Sequence, residues 1–261
     1  MKKLMSCLAL IVTMTAVIII NGSLSASVTD DRIEISAKKS YVFKAYLKDD
    51  DIKIQSTDGV VVLTGTVAEE SHKSLARETV ASLPGVKSVD NKLAVKGEVP
   101  AENTDAWLIT KVKTALLFHR NVSATGTEVL AKDGTVTLRG NADSAAQKNL
   151  TTEYAKEVEG VKAVKNEMTV STAATKPGKK SVGKKVDAVT EAIDDASITA
   201  LVKTTLLYHR STSALNTTVE TKVGVVKLGG IAKNAAEKDL ATKLVSDVHG
   251  VKKVVNNMTI Q

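Results

Sequence analysis

Apolar residues in the middle of the chain first recur at the spacing of an α-helix. After Asp105, which stands where an N-cap is expected, they occupy positions i, i+4, i+7 and i+8. These positions hold Leu108, Val112, Ala115 and Leu116. This apolar stripe predicts an amphipathic helix with one buried side.

The pattern then changes to an alternation of apolar and polar residues, which predicts β-strands. Two alternating runs, 127–131 and 135–139, are joined by a short segment that ends in Asp-Gly, a pair typical of a hairpin. Val136 and Leu138 point to one side and their neighbours are polar. We therefore expect one face of this sheet to be exposed to solvent.

A second helix is predicted from about Ser144 to Glu159, and Gly160 follows it where a left-handed C-cap favours glycine. A last alternating run predicts a strand from Val164 to Val170. The order of elements is therefore helix, strand, strand, helix, strand. Two helices on one face of a three-stranded sheet form an α+β unit, which is the predicted fold class.

This unit occurs three times in the chain. The second and third copies match at an offset of 90 residues without a gap, and a weaker first copy lies 75 residues upstream of the second. The first copy diverges where Lys44 and Ala45 replace a His-Arg pair that the other two copies share. The repeats predict three tandem small domains at residues 28–97, 103–172 and 192–261.

The segments outside the repeats predict export and a flexible connection. Residues 1–26 contain two lysines and then the apolar run from Leu8 to Ile20, which is shorter than the roughly 20 residues that span a bilayer. We expect a cleavable signal peptide here, with a retained membrane anchor as the alternative. Residues 173–191 are rich in lysine and contain proline and glycine, which predicts a solvated linker.

Composition limits the cellular compartments and the classes of partner that we expect for this protein. The only cysteine, Cys7, precedes the apolar run, whereas a lipoprotein needs its lipid-accepting cysteine at the end of that run. We therefore expect a periplasmic protein that is not a lipoprotein. The formal net charge of +7 is a mild excess, and aromatic residues make up only 3% of the chain. Nucleic-acid binding is not expected, because export removes that partner and stacking positions are few.

Two repeated motifs resemble those of the BON domain. One is the turn and strand Gly-Thr-Val-Thr-Leu-Arg-Gly at 134–140, and the other is the ending Gly-Val-x-x-Val-x-Asn at 85–91, 160–166 and 250–256. With the order of elements, they make nearly all of the chain after the predicted signal peptide similar to this family. The resemblance implies a protein of the periplasm or outer membrane that associates with phospholipid and takes part in osmotic or envelope stress protection.

The His119-Arg120 and His209-Arg210 pairs are the best catalytic candidates in the sequence. No nucleophile or carboxylate stands at a recognisable spacing from them, and they fall at a helix end, where cations meet the helix dipole favourably. We interpret them as basic helix ends. The four histidines lack metal-ligand spacing, and no phosphate-binding loop is present. The sequence predicts a protein that is not an enzyme and that has no cofactor or metal.

A binding surface is the remaining hypothesis. Trp107, with Lys111 one turn later, should lie off the apolar stripe and suits a lipid headgroup region or a protein contact. Alternatively, the indole packs against the edge of its own domain. Phe118 and Tyr208 either extend this patch or complete the core. The other candidates are basic residues: Arg120, Arg210, Lys179, Lys180, Lys184 and Lys185.

Two partners follow from these features. The leading hypothesis is peripheral contact with an anionic phospholipid surface, and the alternative is chaperone-like binding of exported or envelope proteins. A tryptophan patch with a basic rim would favour lipid. A broad apolar groove between repeats would favour protein clients.

Overall fold

The computed structural model describes residues 27–97, 100–102, 104–170, 193–212 and 216–261. Within these ranges the chain forms three units with the predicted order of elements, to which the first unit adds a short second helix, and the α+β prediction is confirmed. The predicted signal peptide, 1–26, and the predicted linker, 173–191, lie outside the described residues.

The elements of the three units correspond closely. The first unit contains α1 (27–39), α2 (Tyr41–Ala45), β1 (Asp51–Thr57), β2 (Val60–Val67), α3 (Glu70–Ala81) and β3 (Ser88–Val95). The second contains α4 (Asp105–Leu117), β4 (Thr127–Lys132), β5 (Thr135–Ala142), α5 (Ala145–Lys156), β6 (Ala163–Asn166) and β7 (Thr169–Val170). The third contains α6 (Asp195–Tyr208), β8 (Thr217–Lys222), β9 (Val225–Ala232), α7 (Ala235–Ser246), β10 (Lys253–Asn256) and β11 (Thr259–Ile260).

The second strand is central in every unit. It pairs antiparallel with the first strand through the predicted hairpin and parallel with the last strand. On the inner face of β5, Val136 and Leu138 are fully buried, whereas Thr135 and Arg139 on the other face are exposed. Each sheet therefore packs its apolar side against helices and leaves its outer side to solvent.

Two predicted helix boundaries were wrong by a few residues. The N-cap of α4 is Thr104, whose hydroxyl accepts a hydrogen bond from the Trp107 amide at 3.3 Å, and Asp105 is the first helical residue. The helix α5 ends before Glu159, because the backbone leaves the helix at Glu157. There the Glu157 carbonyl accepts a hydrogen bond at 2.8 Å from the Arg210 amide of the third unit.

The predicted last strand of the second unit is interrupted after Asn166. The side-chain Nδ2 of Asn166 donates to the carbonyl of Lys148 at 2.9 Å and to Oγ1 of Thr152 at 2.7 Å. Its Oδ1 accepts from the amide of Met168 at 2.9 Å. Asn256 makes the same three contacts in the third unit. The motif asparagine therefore ties the last strand to the second helix of its unit.

The first unit packs against the third. The helix α3 lies along α6, and one continuous apolar cluster joins the two cores. The short helix α2 lies at the N-terminal end of α6, where the Tyr41 amide donates to Asp194 Oδ2 at 2.7 Å and the Val42 amide to Ser197 Oγ at 3.0 Å. An ion pair between Lys203 and Glu78, at 3.1 Å, crosses the same interface. The first and third units are therefore packed together.

Asn256→Ala should lower the free energy of unfolding by about 2 kcal/mol, because it removes three hydrogen bonds and leaves partly buried backbone groups without a partner. Asn257→Ala is the matched control, since the neighbouring side chain is exposed and should change stability by less than about 0.5 kcal/mol. Denaturant unfolding of both variants measures the difference. Equal stabilities of the two variants would contradict the structural role of the motif asparagine.

Candidate functional site

The His-Arg pairs of the second and third units meet at an interface between these units. His119 and His209 follow α4 and α6, and their Nε2 atoms lie 3.3 Å apart. The two residues are only 1% and 2% exposed. The two first-helix ends therefore point into a shared, closed contact.

The backbone and arginine contacts across this interface are reciprocal. The Arg120 amide donates to the Asp247 carbonyl at 3.0 Å, and the Arg210 amide donates to the Glu157 carbonyl at 2.8 Å. The guanidinium groups make the same kind of reciprocal contact, because the Nη1 atom of each arginine donates to a carbonyl of the opposite unit. The acceptors are Val251 O at 3.0 Å from Arg120 and Val161 O at 3.1 Å from Arg210. Each arginine thus binds the chain that leaves the second helix of its neighbour.

One side of this interface carries a polar cluster. The His119 ring stacks on Tyr154 with centroids 3.8 Å apart, and the Tyr154 hydroxyl donates to Asp247 Oδ2 at 2.6 Å. Asn121 also donates to Asp247, and His249 lies nearby. Burial raises the pKa of Asp247 from its ordinary value. The third unit has Leu244 where the second has Tyr154, so the reciprocal contact is not fully symmetric.

Burial also decides the charge of the two histidines. It lowers the pKa of His119 to about 2 and that of His209 to about 4, with the opposing imidazole contributing to the shift at His119. Both rings are therefore neutral near pH 7. The interpretation of these histidines as cations at a helix end was wrong, because that role requires an exposed, charged ring. The arginines do bind carbonyls beyond a helix end, but on the neighbouring unit.

Trp107 lies beside a cleft between the units. It is half-buried and packs over Gly160, where a Cβ atom would come within 3.2 Å of the indole. The Lys111 ammonium lies 3.9 Å from the centroid of the indole ring and 3.4 Å from Glu159 Oε2. The indole therefore packs against its own unit on one side and carries a cation over its ring.

The cleft has a volume of about 450 Å³ and draws its lining from all three units. Trp107 and Lys111 come from the second unit and Tyr208 from the third, with the Lys111 ammonium 5.8 Å from the Tyr208 ring centroid. The first unit contributes apolar and charged groups of both signs: Val95, Lys96, Glu69 and Glu70. Packing between units therefore creates a mixed apolar and polar recess beside the only tryptophan.

The predicted surface residues divide into four groups. Trp107, Lys111 and Tyr208 meet at the cleft. Phe118 is fully buried beside Tyr46, at 5.8 Å between ring centroids, so it completes the core and does not extend a surface. Arg120 and Arg210 lie at the interface of the second and third units. The lysines of the predicted linker lie outside the described residues: Lys179, Lys180, Lys184 and Lys185.

Sequence reasoning missed the residues that complete the interface. Tyr154 lies within the predicted second helix, and a buried tyrosine hydroxyl usually needs a hydrogen-bond partner. That requirement was the available signal for a polar contact, which Asp247 supplies. Nothing in the local sequence indicated Asp247 itself, because the two residues are 93 positions apart.

Two further observations concern the described ranges only. Their histidine, cysteine, aspartate and glutamate side chains form no group of three or more that is able to hold a metal ion. Their helices include none with the length and apolarity needed to cross a bilayer.

Comparison with known proteins assigns the family. The BON domain model matches residues 29–97, 104–172 and 194–261, which is most of the chain and one match for each unit. The chain belongs to the BON domain family. Its three units are therefore BON domains, and the recognition made from the repeated motifs is confirmed.

Several known proteins are similar to this chain in sequence. It is 30% identical over 207 residues to osmotically-inducible protein Y of Escherichia coli, covering 79% of this chain and 96% of that protein. It is 30% identical over 163 residues to the outer membrane lipoprotein DolP of Haemophilus influenzae, covering 57% of this chain and 84% of that protein. A 21 kDa hemolysin of Actinobacillus pleuropneumoniae is 30% identical over 145 residues, with 54% and 74% covered.

Acidification should weaken the contact between the second and third BON domains. A histidine whose pKa is lowered in the folded state takes up its proton more readily when unfolded, so stability is lost as the pH falls below the ordinary value of 6.5. The loss should approach about 1.4 kcal/mol per pH unit for each ring. Thermal unfolding midpoints measured between about pH 7.5 and about pH 5.5 test this expectation.

The double variant His119→Gln/His209→Gln provides the comparison for this experiment. It retains Asp247, Arg120 and His249. Burial also lowers the pKa of His249, so this ring should keep part of the pH dependence of stability in the double variant. An unchanged pH dependence in the double variant would show that the paired imidazoles are not its source.

Proposed function

We propose that this BON-repeat protein acts in the bacterial envelope, without catalysis, by contact with phospholipid surfaces, and that it contributes to protection against osmotic or envelope stress. The names of its relatives support the setting: one is osmotically inducible and another is an outer membrane lipoprotein. The observation that carries the lipid contact is the cleft at Trp107 and Lys111.

The chemistry of this cleft suits a phospholipid headgroup and the start of its acyl chains. An indole with a polar edge and an apolar body is favoured at the boundary between water and hydrocarbon. Lys111 and Lys96 supply cations for the phosphate, and Val95 and Tyr208 supply apolar and aromatic surface. Glutamates also line the recess, so the net attraction to an anionic bilayer comes from the basic excess of the whole chain.

The absence of catalysis is part of the same proposal. His119 and His209 are buried at 1% and 2% exposure, so a substrate has no access to either ring in the packed arrangement. Both imidazoles take part in the contact between BON domains. We therefore assign this cluster to assembly.

A chaperone-like role is the second candidate, because the cleft lies between repeats. A volume of about 450 Å³ accommodates a few side chains of an extended client and is smaller than a broad groove. If this role is correct, the purified protein should suppress aggregation of an unfolded exported protein at near-stoichiometric ratios. Light scattering of several clients measures it, and no suppression for any of them would remove the candidate.

Trp107→Ala should reduce binding to vesicles of phosphatidylglycerol and phosphatidylethanolamine by about tenfold, because it removes the main apolar contact at the cleft. Lys111→Gln should reduce it by a smaller factor. Lys156→Gln is the matched control, since this lysine is exposed and paired only within its own helix. Vesicle flotation at low salt is the measurement. Wild-type protein that stays in the soluble fraction would contradict the lipid role.

A further inference from the structure

The tip of the third hairpin differs from the other two in one residue. In all three hairpins the first turn residue has φ of 53°, in the left-handed region. The residue is Asp58 in the first domain and Asp133 in the second, but Val223 in the third. Aspartate tolerates this conformation, whereas a β-branched residue is a rare exception there. The third domain thus keeps an apolar residue where the backbone disfavours it.

The turn holds this conformation because a carboxylate anchors it. Asp195, the first residue of α6, accepts hydrogen bonds from the Val223 amide at 2.7 Å and from the Gly224 amide at 2.9 Å. Asp30 makes equivalent contacts with the turn of the first domain, at 2.8 Å and 3.0 Å. The anchor requires only backbone amides, so the valine side chain adds nothing to it. Backbone strain that is retained at such a position indicates a functional role for the side chain and not a role in folding.

The Val223 side chain is directed to solvent. It is 68% exposed, more than the other exposed large apolar residues in the described part of the chain. With Val225 it borders a shallow depression of about 560 Å³ on the outer face of the third sheet. An apolar residue at a protruding tip is available to a partner at little steric cost.

Basic residues surround this tip. Strand pairing aligns Lys222, Val225 and Lys253 in one outward row, and Glu220, Lys227 and Val255 in the next. Each of the three lysines is exposed. Across the described residues, none of the three lies within 4.0 Å of a carboxylate. The outer face therefore combines three unpaired cations, one anion and apolar side chains.

The same face of the second domain has a different character. Two of its cations are neutralised, because Glu167 contacts Arg139 at 2.8 Å and Lys165 at 2.5 Å, and Lys132 remains exposed. Val225 and Lys253 of the third domain correspond to Thr135 and Ala163 of the second. Of the four residues Val223, Lys222, Lys227 and Lys253, only Lys222 is matched in the second domain, by Lys132, so the fold does not impose this combination.

We infer that the third hairpin, through Val223 with Lys222, Lys227 and Lys253, is a docking surface for the anionic phospholipid bilayer, distinct from the Trp107 cleft. The inference rests on the proposed lipid function and adds a second contact to it. The charge complementarity selects this partner: basic residues gain from a negatively charged surface, and an apolar side chain at the tip enters the interfacial region. The charge attraction of the lysines and the insertion of the apolar side chain are each weak, and together they attach the protein to the bilayer more firmly than either does alone.

The test uses the whole protein with vesicles of phosphatidylglycerol and phosphatidylethanolamine, and with phosphatidylcholine vesicles as the uncharged comparison. Val223→Asn places a residue that accepts the left-handed turn at the tip. It should raise the thermal unfolding midpoint and weaken binding to the anionic vesicles by about fivefold. Lys222→Gln/Lys227→Gln/Lys253→Gln should weaken it by more than about tenfold. The gain in stability shows that the tip variant is folded.

Matched variants in the second domain separate the tip from general charge effects. Asp133→Asn changes the equivalent turn residue, and Lys132→Gln removes the equivalent of Lys222. Neither should alter vesicle binding by as much as its counterpart. If Val223→Asn and the lysine variant bind like the wild type while Trp107→Ala does not, the docking surface is refuted and the lipid function stands. If the wild type binds no vesicle, the lipid function itself fails.

Discussion

The arrangement of the three BON domains depends on one exchange of contacts, in which each of two His-Arg segments binds the domain opposite. A single domain of about seventy residues has a small core, and that core alone contributes little to the free energy of folding. The exchange buries two neutral imidazoles and uses two arginines to bind carbonyls beyond the second helix of the partner domain. The first domain, which has Lys44 and Ala45 at the matching positions, packs through α2 and α3 onto α6 instead.

This packing creates the candidate site. The cleft beside Trp107 has walls from all three domains, so its shape exists only while the domains are packed together. Neutral histidines at the interface make that packing sensitive to protons, because charging a buried ring is costly. Domain assembly and the cleft that we propose to bind lipid are thereby linked through one helix: α4 carries Trp107 and Lys111 on its side and ends at the His119 contact.

Much of each domain was predictable from the sequence because its signals are local. The apolar stripe through Leu108 and Val112, the Asp-Gly hairpin and the repeated motif asparagine each act within a single domain. The role of His119 was not predictable in this way, because its neighbours Asp247 and His209 are distant in sequence. A histidine at a helix end is ordinarily in contact with water, and His119 is buried because Tyr154 and the opposing domain cover it. The same reason applies to Phe118. Its sequence position fits both a surface and a core residue, and the contact that buries it comes from Tyr46 of the first domain.

The near-symmetry of the exchange gives one polypeptide the geometry of a dimer. Two copies related by a 90-residue offset present matching segments to each other, as the subunits of a two-fold homodimer do. The covalent connection makes this pairing intramolecular, so it does not depend on protein concentration as the pairing of two separate chains would. Because the two halves are encoded separately, one copy can hold tyrosine where the other holds leucine, which a homodimer of identical chains cannot do.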